Sequence, residues 1–489
     1  MHSSRASRVN FLCCFVLSAH LVGCGDDVSL APEKSAIAWE DCGGGFECAN
    51  FDVPYDYDAG GGPSFSLPLV RRLAKNQEAR IGSLLVNPGG PGGSGVGWAR
   101  AAWLAMPPAI VDRFDLVGFD PRGQAGSTPS IDCIDDLEPF VGLDLTPADA
   151  ADLKVIEDET AAFVEACNTR SGELLQFVGT DNIVRDMDLL REALGDDKLT
   201  YLGFSYGTFL GTMYANAYPD RVRALVLDAA LDPTLDGVGF IEGQARGFEA
   251  ELEAFLADCA ADTTCAFHSG GDPGAAYNAI QASIEASPMP DAGTGRFLGP
   301  GEFAYAVSAP LYRPGQWWKL AEALALATTG DGSGLLEIAD GYVDRNGNGT
   351  YGDSLEVYYG VLSIDMPFPD ETAVYEALTK KLEVETPRLG AYFPFTALAS
   401  ARWPVSNWRE PEPITAEGAP PILVVGSTAD PATPYAWGVS LAKQLSSGVM
   451  LTRNGRGHVS FLRGNTCIDA AVTNYLVDLV EPQDGTVCN

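Results

Sequence analysis

Residues 203–207 read Gly-Phe-Ser-Tyr-Gly and lie between the apolar run Leu199-Thr200-Tyr201-Leu202 and a helix-like stretch at 208–215. A G-x-S-x-G segment at a strand-to-helix junction leaves the backbone little choice. The strand turns sharply into the helix, and one serine is left exposed at the bend in a strained conformation. The chain packs too closely there for side chains at Gly203 and Gly207. The helix that follows turns its positive end toward the reacting centre. Ser205 is therefore the candidate acylating nucleophile.

The surrounding pattern predicts an α/β fold with a mostly parallel sheet. Short strand-like alternation occurs over 46–57 and 64–72, separated by the turn Asp58-Ala59-Gly60-Gly61-Gly62-Pro63. Apolar runs at 81–86, 114–119, 199–202, 222–227 and 421–425 read as buried parallel strands, with helical spacing between several of them. From 235 to 415 the pattern changes to helix-like segments at 242–259, 275–286 and 316–328, broken by Gly-rich loops. This stretch is expected to be a helical cap inserted between core segments 37–234 and 416–489.

The N-terminus reads as a targeting segment. Arg5 and Arg8 precede an apolar stretch at 9–22 that ends in Leu21-Val22-Gly23-Cys24. The tetrapeptide resembles a bacterial lipobox. Residues 1–23 are then a signal peptide, Cys24 is the lipidated mature terminus, and 24–36 is a tether. An ordinary secretory signal is the alternative. The membrane is expected as a partner only through that anchor. Eight further cysteines remain, Cys42, Cys48, Cys133, Cys167, Cys259, Cys265, Cys467 and Cys488, an even number that suits disulfides in an exported chain.

The formal net charge of −35 excludes nucleic acid as a partner, because phosphate binding needs a basic surface. No C-x-x-C or Cys/His cluster suggests zinc, and no G-K-[ST] or dinucleotide spacing follows the glycines, so no metal or cofactor is expected. Asp344-Arg345-Asn346-Gly347-Asn348-Gly349 matches the first half of a calcium loop, but position twelve is Leu355, and an Asn/Gly turn is the expected form.

A serine nucleophile needs a general base and a carboxylate to orient it. Of four histidines, His2 and His20 fall in the targeting segment, and His268 sits in an insert loop. His458, after the last apolar strand, is the candidate base. Asp430 follows the strand at 421–425 and is the candidate acid, with Asp228 as runner-up. The loop Gly89-Gly90-Pro91-Gly92 and the N–H of Tyr206 are the expected oxyanion donors. Arg122, in Asp120-Pro121-Arg122-Gly123, is read as a brace for that loop, with a substrate carboxylate as its alternative partner.

With these residues placed, the chain resembles the tripeptidyl aminopeptidase family, exported α/β-hydrolase serine peptidases related to proline iminopeptidases. The resemblance runs from Trp39 and Val53-Pro54-Tyr55-Asp56-Tyr57 through the glycine loop, Asp120-Pro121-Arg122-Gly123, the elbow, Asp430-Pro431-Ala432-Thr433-Pro434 and Gly457-His458 to the C-terminal cysteines. Gln124 and Ser363 depart from the family pattern. The resemblance implies the α/β-hydrolase fold, the triad Ser205, Asp430 and His458, and Gly90 with Tyr206 as oxyanion donors. With sequence proximity it also implies the pairs Cys42–Cys48, Cys133–Cys167, Cys259–Cys265 and Cys467–Cys488. It implies peptide substrates and release of short N-terminal peptides; an esterase and a non-catalytic lipid-anchored binding protein are the alternatives. An exopeptidase must hold a free α-ammonium, so an insert carboxylate is expected over Ser205, with Glu242, Glu302 and Asp365 as candidates.

Overall fold

The computed structural model describes residues 37–291, 293–405 and 409–489. Twelve strands follow in chain order: β1 (Glu40–Asp41), β2 (Glu47–Pro54), β3 (Ser64–Arg72), β4 (Gly82–Asn87), β5 (Phe114–Phe119), β6 (Leu199–Phe204), β7 (Val222–Asp228), β8 (Met289–Pro290), β9 (Phe297–Leu298), β10 (Ile422–Ala429), β11 (Gly448–Arg456) and β12 (Thr486–Cys488). Ten of them form one sheet in the order β1-β2-β3-β5-β4-β6-β7-β10-β11-β12. Pairing is antiparallel from β1 to β5 and parallel from there to β12.

Every residue of β4, β5 and β6 is buried, which is why these segments read as unbroken apolar runs. Parallel strands are covered on both faces, and successive side chains enter opposite layers. Leu85, Tyr201, Leu225 and Val424 pack in one layer, and Leu84, Leu202, Val226 and Leu423 in the other. Helices Gly95–Ala102, Tyr206–Ala217, Tyr435–Gln444 and Thr466–Asp478 follow β4, β6, β10 and β11.

Between β7 and β10 the chain is almost wholly helical, the hairpin β8–β9 apart. Its longest helix, Gly237–Ala261, starts earlier than the apolar spacing from 242 suggests, because Asp236 caps it through the Gly239 N–H. This insert has a core of its own, built on Phe248, Leu252, Phe255, Tyr277, Phe303 and Leu320. One long element escaped the sequence reading. Helix Ala150–Ser171 buries only Ile156, Thr160, Phe163, Cys167 and Ser171, a narrow stripe on an otherwise solvated rod. The calcium-like segment is a self-closed turn: Asn346 N–H donates to Thr350 O at 2.7 Å, and Asn348 Oδ1 accepts from the Thr350 hydroxyl at 2.8 Å.

All four expected disulfides are formed. Cys467–Cys488 spans 21 positions and ties helix Thr466–Asp478 to β12 beside β11, which leads to His458. Replacing both cysteines by serine should lower unfolding free energy by about 3 kcal/mol in urea titration.

Insert helix Ser354–Asp365 carries buried acids that grip the core. Glu356 accepts the N–H groups of Cys133 and Ile134 at 2.9 and 3.0 Å. Burial pushes Glu356 up to about 7 and Asp365 to about 6. Unfolded carboxyls titrate near 4, so the folded chain holds these protons to higher pH. Their stabilisation is complete below about pH 4 and is lost as pH rises through about 6 to 7. Thermal unfolding at matched ionic strength should therefore give a higher Tm near pH 5 than near pH 8; the opposite order would contradict this account of the buried acids.

Candidate active site

The elbow is strained where the chemistry needs it. Ser205 has φ 53° and ψ −126°, a conformation rarely open to a side-chain-bearing residue. The close approach is literal. A Cβ on Gly203 would lie 2.4 Å from Gly207 O, and one on Gly207 would lie 2.7 Å from Asn87 O. The oxyanion loop comes equally near: a Cβ on Gly89 would meet Phe204 O at 2.4 Å and Tyr206 N at 2.9 Å. The loop is pinned by Asn87 Oδ1, which accepts from Gly89 N–H at 2.8 Å, and by Gln124 Oε1, which accepts from Gly92 N–H at 3.1 Å. The N–H groups of Gly90 and Tyr206 have no hydrogen-bond partner among the described residues. Two free donors beside a bent serine are what a developing oxyanion requires.

Asp430 stands just beyond β10, 5% exposed. Its Oδ1 accepts from the N–H groups of Ala432 and Thr433 at 3.0 and 2.9 Å. His458 Nδ1 lies 2.9 and 3.0 Å from the two carboxylate oxygens. The pair has the geometry in which a carboxylate fixes the imidazole tautomer and leaves Nε2 free. No hydrogen bond joins Ser205 Oγ to His458 among the described residues; such contacts commonly tighten only when substrate arrives.

Asp228, the runner-up acid, has another task. Its backbone O accepts from Ser205 N–H at 3.0 Å, and its carboxylate accepts from Ser460 and Phe461 N–H at 3.0 and 2.7 Å. It ties the elbow to the histidine loop and makes no contact with the imidazole nitrogens. Burial pushes its pKa up to about 6. Arg122 is fully buried, donating to Asp186 at 2.7 Å and to Pro54 and Tyr55 carbonyls at 3.0 and 2.9 Å. These partners remove the substrate carboxylate, and none of them lies in the glycine loop: Arg122 ties the end of β2 to helix Thr180–Ala193, and it is Gln124, two residues on, that holds the loop.

A cavity of about 1050 Å³ opens at His458 and at Phe204, the neighbour of the nucleophile. Its other walls come from helix Gly95–Ala102 and from insert helices Trp317–Ala327 and Ser333–Tyr342. None of the three acids expected to face it does so. Glu242 accepts from Lys381 and Arg246, both at 2.7 Å. Glu302 is buried and accepts from Gly299 N–H at 3.0 Å at the start of its helix. Asp365 is buried beneath the elbow helix, bound to the Thr180 and Tyr206 hydroxyls at 2.6 and 2.9 Å. An apolar neighbourhood in sequence marked them, but each is already held by its own donors, and Glu302 and Asp365 are buried as well. The acids on the cavity wall are Glu322 and Glu337.

Sequence reasoning also missed Tyr312. Its carbonyl accepts the His458 N–H at 2.8 Å, and its ring meets the imidazole edge-on with centroids 5.4 Å apart. No local signal marks it; the contact exists only because the insert folds back over the histidine loop.

The two acids predict different mutant behaviour. Asp430→Asn should lower kcat by about 10⁴-fold, because the imidazole loses its oriented tautomer. Asp228→Asn displaces the histidine loop without touching Nδ1 and should cost about 10²-fold. Steady-state kinetics on a chromogenic ester decides between them, and the reverse ranking would exchange their roles.

Residues 82–269 match a family described as alpha/beta hydrolase fold, and residues 387–488 match one described as TAP-like protein. The serine protease Hip1 of Mycobacterium tuberculosis is 37% identical over 486 residues, covering 95% of this chain and 91% of that protein. Carboxylesterase B of the same organism is 37% identical over 464 residues, covering 90% and 86%. The tripeptidyl aminopeptidase of Streptomyces lividans is 32% identical over 469 residues, covering 91% and 85%. With a strained elbow serine, an Asp-paired histidine and a glycine loop on this sheet, the chain belongs to the tripeptidyl aminopeptidase family of α/β-hydrolase serine peptidases.

Proposed function

We propose that the protein is a serine exopeptidase that releases short peptides from free N-termini through an acyl-enzyme. The reading is carried by one observation: a strained elbow serine beside two unpartnered N–H donors, and a histidine paired with Asp430 that lines a cavity together with Phe204 and Pro88, the neighbours of the elbow serine and the glycine loop. Ser205 Oγ attacks the scissile carbonyl carbon while His458 Nε2 takes the hydroxyl proton. The oxyanion formed is held by the N–H groups of Gly90 and Tyr206. Collapse breaks the C–N bond, and His458 gives its proton to the departing amine. Water, deprotonated by His458, then cleaves the ester and returns Ser205. Asp430 holds the imidazole throughout.

The insert serves as a cap that limits what enters. Glu322 and Glu337, on the cavity wall, are the partners for a substrate ammonium. A general esterase is the second reading, favoured by the likeness to a carboxylesterase, since the same machinery cleaves esters. Export with lipid attachment at Cys24 is supported by the basic and apolar N-terminal run and by four disulfides, which suit an oxidising compartment. Cys24 and the rest of the targeting segment lie outside the described residues. No helix among the described residues is long and apolar enough to cross a membrane.

The test is a panel of tripeptidyl anilides, their N-acetylated forms and simple acyl esters. The free tripeptidyl anilides should be cleaved best, N-acetylation should raise KM or abolish cleavage, and Ser205→Ala should lower kcat by about 10⁴-fold or more. Equal cleavage of free and acetylated peptides would replace the exopeptidase with a general hydrolase.

A further inference from the structure

Arg313 and Arg463 are anomalous in this chain. It carries 66 acidic residues against 31 basic ones. Among the described residues, every other arginine has a carboxylate, carbonyl, sulfur or aromatic-ring partner. The side chains of Arg313 and Arg463 alone have no hydrogen bond, ion pair or ring contact among the described residues. Both line the cavity that holds His458. They are close enough that the Arg313 charge, after burial, pulls the pKa of Arg463 down. Both side chains are exposed and solvated, and together they give this cavity wall a cationic patch in an otherwise acid-rich protein.

Their backbone positions place them on one side of the reaction. Arg313 follows Tyr312, whose carbonyl takes the His458 N–H at 2.8 Å. Arg463 ends the loop that begins at His458, and that loop is pinned by Asp228 at Ser460 and Phe461 and by Asp469, which accepts from Leu462 N–H at 2.9 Å. The base must deliver its proton to the departing amine, so the leaving group lies on the histidine side of the scissile bond. A single leaving residue spans only about 3.5 Å, which keeps its carboxylate near the histidine. The forked geometry of guanidinium suits a carboxylate better than an ammonium would. The other charged groups on the cavity wall, Lys319, Glu322 and Glu337, belong to the insert helices Trp317–Ala327 and Ser333–Tyr342.

We propose that Arg313 and Arg463 form a carboxylate-binding subsite for the leaving group. The enzyme then prefers short peptides with a carboxylate one or two residues beyond the scissile bond. This specificity rests on the exopeptidase reading and adds a second recognised end to the substrate. The carboxylate can be a free C-terminus or an acidic side chain, and both present the same chemistry.

The test compares kcat/KM for tetrapeptides that share one N-terminal tripeptide and end in alanine acid, alanine amide, aspartate amide or asparagine amide. The free acid should exceed the amide by about tenfold to a hundredfold, and the advantage should shrink as salt is raised. Arg463→Gln or Arg313→Gln should bring the acid-to-amide ratio toward one, whatever the absolute rate. An advantage confined to aspartate amide over asparagine amide would support the subsite with the side chain as its ligand. Wild-type ratios near one in both pairs would overturn the proposal, and they need no variant to fold. Cleavage of the N-acetylated tetrapeptides, measured alongside, reports separately on the exopeptidase reading.

Discussion

The carboxyl-terminal residue of β7 holds the reactive arrangement together. Asp228 accepts the Ser205 N–H with its backbone oxygen and the Ser460 and Phe461 N–H groups with its carboxylate. One buried residue thus fixes where the nucleophile bends and where the histidine loop turns. A buried carboxylate is costly unless hydrogen-bonded, and here the donors that satisfy it are backbone groups of the loop it positions. Desolvation still raises its pKa to about 6, so the tie is made against a solvation cost.

Around that tie the core side of the site is built by close backbone contact. The elbow, β4 and the oxyanion loop approach so nearly that hydrogen atoms alone fit at Gly89, Gly203 and Gly207. Beside such contacts the N–H groups of Gly90 and Tyr206 are without a hydrogen-bond partner among the described residues. The preorganised donors follow from the strain, since a relaxed turn would have paired them.

The acid and base are gripped from the other direction, by the insert. A Cβ on Gly247 would lie 2.2 Å from Pro431 O, so helix Gly237–Ala261 rests directly on the Asp430 loop. Gln244 donates to Ala432 O at 3.0 Å, and Arg456 donates to the buried Glu251 at 2.9 Å. Tyr312 holds the backbone of His458 itself. The insert that walls the cavity therefore also positions the Asp430–His458 pair, and Asp365 extends the same grip to the elbow helix through Tyr206. The cavity wall and the Asp430–His458 pair thus share one scaffold.

Much of this was legible in the chain because it is local. The elbow needs five consecutive residues, the buried parallel strands announce themselves as apolar runs, and the glycine loop is short and contiguous. His458 was legible for a simpler reason: histidines are scarce. Proximity and family resemblance together led to the four cysteine pairs, which the fold forms. Helix Ala150–Ser171 was not legible, because a narrow buried stripe on a solvated helix leaves little periodic signal. The sequence already favoured Asp430 over Asp228, but the task of Asp228, tying the elbow to the histidine loop, came only from the tertiary structure. Which insert acids face the cavity, and that Arg313 and Arg463 meet there unpaired, was decided by tertiary packing alone. A side chain's burial and partners depend on segments far away in sequence, whereas strain and periodicity are written in neighbouring residues.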